Sequence, residues 1–158
     1  MTFPDPRFRQ KAELVTVFDE GLRALADDLL DTMHAAPGIG ITGPHIGEMR
    51  RVVVLELAPG AVRVYVNPRI IWQSDERQIH MEGSIAMPGA AEMVQRPARV
   101  RVAYQGLDGA EASEEADGIL AVCLQHEIDQ LDGIFWLQRL SRLKREMVVK
   151  KWEKARKR

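Results

Sequence analysis

The sequence predicts a single α+β domain whose sheets are mostly antiparallel. The predicted elements run as one helix, several strands and two further helices, without the strand–helix alternation that builds parallel sheets. The strand segments are short, rich in β-branched residues and separated by turn signals. Because 158 residues are the length of one domain, we expect residues 1–158 to share one core.

The first helix is predicted from about Glu20 to Ala35, after Asp19, whose side chain is suited to cap a helix N-terminus. Its apolar residues recur at helical spacing: Leu22, Leu25, Leu29, Leu30 and Met33. The segment APGIGITGPHIG, residues 36–47, then contains four glycines and two prolines, which cannot continue a helix. We expect a loop there that turns tightly or brings its backbone close to something else.

Two β-branched segments, RRVVVLELA and AVRVYVNPRI, follow and flank Pro59 and Gly60. This arrangement predicts a β-hairpin. The segment IWQSDERQIHMEG, residues 71–83, could extend the same sheet. In ARVRVAYQGLDG, arginines alternate with valines from Arg99 to Val102, which predicts a strand with one buried and one solvated face.

Two more helices are predicted in the last third of the chain, over about residues 113–131 and residues 141–158. The third helix is basic, because ten Lys or Arg stand beside only two acids between Arg139 and Arg158, in a chain of net charge −1. Such a helix is suited to phosphate-bearing partners, or it is simply solvated. Its apolar residues are expected to dock one face: Leu143, Met147 and Trp152.

Composition disfavours several classes of protein. Cys123 is the only cysteine, which excludes an intrachain disulfide and a cysteine-rich zinc module. The N-terminal segment MTFPDPRFRQKAELV lacks the apolar core of a signal peptide, and no run of about 18 apolar residues occurs. We therefore expect a cytoplasmic protein with no membrane partner.

Part of a zinc-hydrolase motif lies on the second predicted helix, in the segment QHEIDQ. In the motif H-E-x-x-H, two histidines one turn apart grip the ion and the glutamate reaches the water that the ion activates. Here His126 and Glu127 are present, but Gln130 takes the place of the second histidine. Taken alone, these residues fit a buried polar pair with a surface acid at least as well.

Three segments together resemble the signature motifs of the peptide deformylases: GIGITGPHIG, EGSIAMPG and QHEIDQLDG. In that family the motifs read approximately G-x-G-L-A-A-P-Q, E-G-C-L-S and Q-H-E-x-D-H-L, in the same order and spacing. The segments VNPRI, VQRPARVRVAY and QRLSRLKRE are also similar to deformylase segments. The resemblance implies the deformylase fold, with mostly antiparallel sheets around a central helix that bears the H-E-x-x-H type motif.

Deformylases remove the formyl group from the initiator methionine of new polypeptides, using Fe(2+), Zn(2+) or a similar ion. The resemblance implies metal-ligand positions at Ser84, His126 and Gln130, where the family has a cysteine and two histidines. Only His126 is a retained ligand. A serine hydroxyl resists the deprotonation that makes cysteine a good ligand, and a glutamine offers only a neutral amide oxygen.

The resemblance also assigns the reacting groups of the family to this chain. It implies that Glu127 is the general acid/base, that His45 replaces the glutamine that stabilises the oxyanion, and that Ile85 offers the backbone N–H beside it. The pocket is expected to contain these residues: Gly38, Ile39, Gly40, Ser84, Val122 and Gln130.

No tightly bound metal cofactor is therefore expected. Each ligand of a four-ligand site is worth about 3–4 kcal/mol, so two lost ligands remove about 6–8 kcal/mol, on the order of a 10⁴- to 10⁶-fold weakening. An alternative stays open, in which His45, His126 and Glu127, with Ser84 or water, rebuild a site for Fe(2+) or Zn(2+). The sulfur of Cys123 is expected to point into the core beside the site.

The leading functional hypothesis is a peptide deformylase-like protein with conventional metal-dependent activity lost or strongly reduced. It could retain a pocket for a formyl-methionyl or other N-acyl peptide. The alternatives are a working peptide deformylase or other amidohydrolase with a rebuilt site, and a non-catalytic module that binds a peptide or the ribosome. In the last case rRNA would be the partner of the basic helix at 141–158.

Overall fold

The helices and strands follow the predicted order in a computed structural model that describes residues 1–157. Their bounds are α1 (Glu20–Ala35), β1 (Gly40–Thr42), β2 (Val52–Glu56), β3 (Val62–Gln73), β4 (Arg77–Glu82), β5 (Glu92–Pro97), β6 (Arg99–Gln105), β7 (Glu111–Asp117), α2 (Gly118–Leu131) and α3 (Arg142–Arg156). The bounds of α1 and the hairpin of β2 and β3 are as predicted, and Asp19 accepts a hydrogen bond from the Leu22 N–H. No helix in the described part of the chain is both long and apolar enough to cross a membrane.

Two antiparallel sheets surround helix α2, which confirms the predicted α+β class. The larger sheet has the order β1-β2-β3-β6-β7, and the smaller one consists of β4 and β5. Helix α2 packs against all five strands of the larger sheet, and every residue from Ala121 to Leu131 is buried. A helix so enclosed holds its side chains in fixed directions, and it is the helix that carries the H-E-x-x-H type motif.

The predicted start of the second helix is wrong. Residues Glu111–Asp117 form strand β7, which pairs with β6 along its whole length, and helix α2 begins only at Gly118. Glutamates and alanines favour a helix in isolation, but here the open edge of β6 offers a full ladder of backbone hydrogen bonds. Ala116 turns into the core from this strand, and the charged residues stay outside.

Of the segment at 71–83, only residues 71–73 extend the larger sheet, as the end of β3. Strand β3 ends at Gln73, and β4 pairs in the described structure with β5 alone. Ser74 fixes this change of direction, because its hydroxyl donates to the Glu76 carbonyl and accepts from the Arg99 N–H. The separate sheet brings Glu82, at the end of β4, against helix α2.

Of the three residues predicted to dock helix α3, only Trp152 is buried, and Val148 docks beside it. Val148 and Trp152 are buried, and the Trp152 ring meets the Phe3 ring edge to face at 5.6 Å. Of the predicted contacts, Leu143 and Met147 are 69% and 62% exposed, because they lie on another face of the helix. The helix predicted over 141–158 forms from Arg142 to Arg156, and residue 158 lies outside the described residues.

Candidate active site

A cavity of about 430 Å³ lies between the glycine-rich segment that contains β1, the turn after β4, and helix α2. It brings together nearly all the site residues predicted from the sequence. Those that line it are Gly38, Ile39, Gly40, His45, Ser84, Ile85, Val122, His126 and Glu127. The two glycines allow close packing, since a Cβ on Gly38 would lie 2.8 Å from Ile85 Cγ2 and one on Gly40 would lie 2.9 Å from Leu55 Cδ2.

The prediction that Gln130 belongs to the pocket needs correction. Its side chain is 1% exposed and does not line the cavity. The residues of α2 that line the cavity lie between Ile119 and Glu127, and Gln130 is buried one helical turn beyond His126. Neither Oε1 nor Nε2 of this amide has a hydrogen-bond partner among the described residues.

His126 is held by a carboxylate that the sequence did not single out. Its Nδ1 lies 2.8 Å from Glu82 Oε1, and Arg96 donates to the same carboxylate from Nε at 2.6 Å and from Nη2 at 2.9 Å. Burial alone would raise the pKa of Glu82, but the hydrogen bonds from Arg96 and His126 outweigh it and lower this pKa to about 2. The ionised carboxylate therefore fixes the proton of His126 on Nδ1 and directs Nε2 toward Glu127.

A network of ion pairs extends from Arg96 along helix α2. Arg96 Nη1 donates to Asp129 at 2.8 Å, and Arg139 donates to both oxygens of Asp129 at 2.7 and 2.8 Å. Bidentate pairs of this kind fix both partners in orientation. This network of ion pairs therefore fixes the rotation of α2 about its axis, and with it the direction of the His126 ring.

Glu127 is buried at the wall of the cavity. Its Oε1 lies 3.5 Å from His126 Nε2, and its Oε2 has no hydrogen-bond partner among the described residues. Burial raises the pKa of the Glu127 carboxyl, and the imidazole of His126 offsets part of that shift. For His126, burial lowers the pKa, but the bond to Glu82 and the charge of Glu127 turn the net shift upward. The two side chains thus share a proton-binding environment suited to acid/base exchange.

His45 presents one ring nitrogen to the cavity. The Thr42 N–H donates to its Nδ1 at 3.1 Å, and the Thr42 hydroxyl lies 2.8 Å from the same nitrogen. Burial, followed by the charge of His126, lowers the pKa of His45 to about 3. The ring is therefore neutral with its proton on Nε2, which has no partner among the described residues. His45 can donate one hydrogen bond to a ligand.

The turn after β4 places Ser84 and Ile85 beside these groups. The Ala86 N–H donates to Ser84 Oγ at 3.1 Å, and the Met87 N–H donates to the Ser84 carbonyl at 3.0 Å. These two hydrogen bonds close the turn, and neither of them uses the N–H of Ile85. Ser84 Oγ is therefore engaged as an acceptor within its own turn.

The residues present do not fit the metal that the resemblance implies. The described residues contain no group of three or more His, Cys, Asp or Glu arranged to hold a metal ion. Of the three ligand positions, Ser84 offers a neutral hydroxyl and Gln130 a neutral amide. In the rebuilt arrangement, His45 would face the ion with a protonated nitrogen, which has no lone pair to give.

Cys123 does not supply the missing ligand, although it lies closer to the cavity than expected. Its side chain belongs to the core cluster under α2 and also lines the cavity. Burial, followed by the charges of Glu127 and Glu82, raises the pKa of the thiol to about 12. A thiol that stays protonated at neutral pH is a poor metal ligand.

The comparisons with known proteins agree with one another. The sequence model of the family described as polypeptide deformylase matches residues 1–146. A Brucella suis protein named peptide deformylase-like is 65% identical over 153 residues, 96% of this chain and 93% of that protein. The same organism has a protein named peptide deformylase that is 46% identical over 155 residues, 96% of this chain and 89% of that protein. The crystal structure of a peptide deformylase from Legionella pneumophila superposes with a TM-score of 0.93 at 36% identity, covering 99% of this chain and 94% of that one.

Proposed function

The chain belongs to the peptide deformylase family, and on that premise we propose that it binds the N-terminal residue of a polypeptide while conventional metal-dependent deformylation is lost or strongly reduced. The observation that carries this proposal is the set of side chains at the three ligand positions. His126 alone is a strong metal donor there, whereas Ser84 offers a neutral hydroxyl and Gln130 a neutral, buried amide. A deficit of this size removes most of the affinity of a metal site.

The rest of the cavity supports retention of a peptide ligand, of which a formyl-methionyl or other N-acyl peptide is one form. The Nε2–H of His45 and the N–H of Ile85 are donors suited to a carbonyl oxygen. The mouth is apolar, with Ile39 48%, Met81 52% and Ile119 40% exposed. A cavity with a few polar groups and an apolar rim is typical of a ligand site.

Brucella suis has relatives of both kinds, a protein named peptide deformylase-like and a protein named peptide deformylase. In a cell with two such proteins, one can keep the deformylase activity while the other loses it.

Two measurements on the same preparation test the proposal. The protein is purified without a histidine tag, its metal content is determined, and turnover of formyl-Met-Ala-Ser is followed. We expect far less than one metal ion per chain and turnover far below that of typical enzymes, whose kcat is about 10 s⁻¹. Stoichiometric metal, or a kcat above about 0.1 s⁻¹, would overturn the proposal.

A second role is proposed for helix α3, whose Lys and Arg side chains are mostly exposed. A cationic helix on an otherwise acidic chain is suited to rRNA phosphate. Co-sedimentation with ribosomes at low salt, compared with the variant Lys150→Glu/Lys151→Glu/Lys154→Glu, tests this role. Equal co-sedimentation of the two proteins would exclude α3 as the contact.

A further inference from the structure

A second and smaller cavity, of about 110 Å³, lies beside Arg96. Arg96 stands between the two cavities, because it donates to Glu82, which lines the active-site cavity, and to Asp129, which lines the smaller one. No described residue lines both cavities. We call the smaller one the arginine pocket, after the side chains that dominate its polar lining: Arg77, Arg96 and Arg139, with Gln73, Gln95 and Asp129.

The arginine pocket carries an excess of positive charge. Three guanidinium groups and one carboxylate line it. The carboxylate, Asp129, already accepts one hydrogen bond from Arg96 and two from Arg139, at 2.7 to 2.8 Å. From the side of the active-site cavity, Glu82 neutralises Arg96 through two further hydrogen bonds. Three positive and two negative charges thus leave one positive charge that no acid of the cluster compensates.

Several donors of the arginine pocket are not used within the described protein. The guanidinium of Arg77 has no hydrogen bond or ion pair with a described residue, and Arg139 uses Nε and Nη2 but not Nη1. The side-chain amides of Gln73 and Gln95 likewise donate to no described residue. The third glutamine, Gln125, adds no donor, because its Nε2 already binds two backbone carbonyls at 3.0 Å. The unused groups are therefore mostly N–H donors, which suit a ligand rich in acceptors.

The size of the arginine pocket and the origin of its arginines limit the kind of anion. A volume of about 110 Å³ equals that of three to four waters at about 30 Å³ each, which is room for a small oxyanion. Arg77 begins β4, Arg96 lies in β5 and Arg139 follows α2, so a ligand meets donors from three segments of the chain. The four oxygens of a phosphate can accept from several sides, whereas the two oxygens of a carboxylate share one plane. Guanidinium groups also match the geometry of phosphate oxygens.

We propose that the arginine pocket binds a phosphate group, as the free ion or at the end of a larger phosphorylated ligand. Arg77 supplies the uncompensated charge, and Arg139 and the two glutamine amides supply further donors. The inference does not depend on the proposed function, because the two cavities share no lining residue. It is also separate from the role proposed for helix α3, which contributes no residue to the arginine pocket.

Titration of the ¹⁵N-labelled full chain with inorganic phosphate tests the proposal, followed by NMR at about 0.15 M NaCl, where interactions between exposed charges are screened. We expect saturable shifts of the side-chain amide signals of Gln73 and Gln95, with a Kd of about 1 mM or lower. A parallel titration with methyl phosphate distinguishes the two sources. Equal affinity identifies the end of a larger ligand, and affinity about tenfold weaker identifies the free ion. If neither compound gives saturable shifts at these amides below about 10 mM, the inference fails.

The variant Arg77→Gln assigns the binding to the arginine pocket. Arg77 is exposed and unpaired, so its replacement should leave the fold intact and raise the Kd for phosphate by about tenfold or more. The control Arg23→Gln removes the same charge from the exposed surface of α1, outside the pocket, and should keep the Kd within about twofold. Equal weakening by the two changes would show attraction to the overall charge alone and would overturn the inference. The position of the shifts on the unaltered chain remains decisive if Arg77→Gln does not fold.

Discussion

The carboxylate of Glu82 stands between the imidazole of His126 and the guanidinium of Arg96, and all three side chains are buried. A buried charge that loses its partner is far costlier than a lost surface pair, because water cannot replace the partner. The orientation of His126 and the neutralisation of the Arg96 charge therefore both depend on the side chain of Glu82, which only the folded structure identifies.

Replacing Glu82 should lower stability strongly. We expect Glu82→Gln to reduce the free energy of unfolding in urea by about 3–5 kcal/mol, since the neutral amide can accept from Arg96 through one oxygen only and removes a counter-charge of the buried guanidinium. The control Glu92→Gln, on the strand position paired with Glu82 but only half-buried, should change the free energy of unfolding by less than about 1 kcal/mol. Equal effects of the two changes would contradict the conclusion that the buried ion pair of Glu82 with Arg96 stabilises the fold.

The same carboxylate predicts a pH dependence. Arg96 and His126 overcome the effect of burial and lower the pKa of Glu82 from 4.5 to about 2. Stability from a depressed pKa is present above the unfolded value and is lost as pH falls through the folded value. Between pH 5 and 2 the unaltered chain should lose on the order of 3 kcal/mol more unfolding free energy than Glu82→Gln. Parallel curves for the two proteins would exclude this contribution.

Most cavity residues could be predicted from the sequence, because the three motif segments fix them by position. His45, Ser84, Ile85, His126 and Glu127 all line the cavity. The sequence could not predict that Glu82 pairs with His126, since an acidic residue at the end of a strand has no local sign of burial. Nor could it predict that Gln130 is enclosed, since helical spacing places it on the face of His126 but does not determine where the cavity ends.

At the scale of elements, helix α3 is held by few residues. Trp152 and Val148 are its buried side chains, and Trp152 packs against Phe3. Trp152→Ala should therefore lower the unfolding free energy in urea by about 3–5 kcal/mol. Leu143→Ala, which removes an exposed side chain from the same helix, should change it by less than about 0.5 kcal/mol. A large effect of Leu143→Ala would mean that the helix docks on another face.

The elements that sequence predicted correctly are those with strong local signals. Helix α1 has a cap residue and regular apolar spacing, and the β2–β3 hairpin has a Pro-Gly turn between β-branched segments. Strand β7 has neither, and its glutamates and alanines form a strand because β6 offers an unpaired edge. The separation of β4 from the larger sheet depends on the hydrogen bonds of Ser74 with Glu76 and Arg99, which are tertiary contacts.

At the scale of the whole molecule, the deformylase fold is retained while the reaction centre differs. The agreement with a solved deformylase covers 99% of the chain at a TM-score of 0.93. Within that fold, the differences from the family motifs at Ser84, Gln130 and His45 all fall on the groups that would bind the ion or the reacting carbonyl. We propose that the differences at Ser84 and Gln130 remove the family's metal site while the surrounding scaffold stays able to form it.

The most direct test is the metal stoichiometry of the double variant Ser84→Cys/Gln130→His beside that of the unaltered chain. Both proteins are purified without a tag, exposed to the same Zn(2+) concentration and separated from unbound ion. We predict close to one ion per chain for the double variant and far less for the unaltered chain, because the two restored ligands return about 6–8 kcal/mol of binding free energy. Equal metal content of the two proteins, whether both high or both low, would contradict the claim that these two positions account for the lost site.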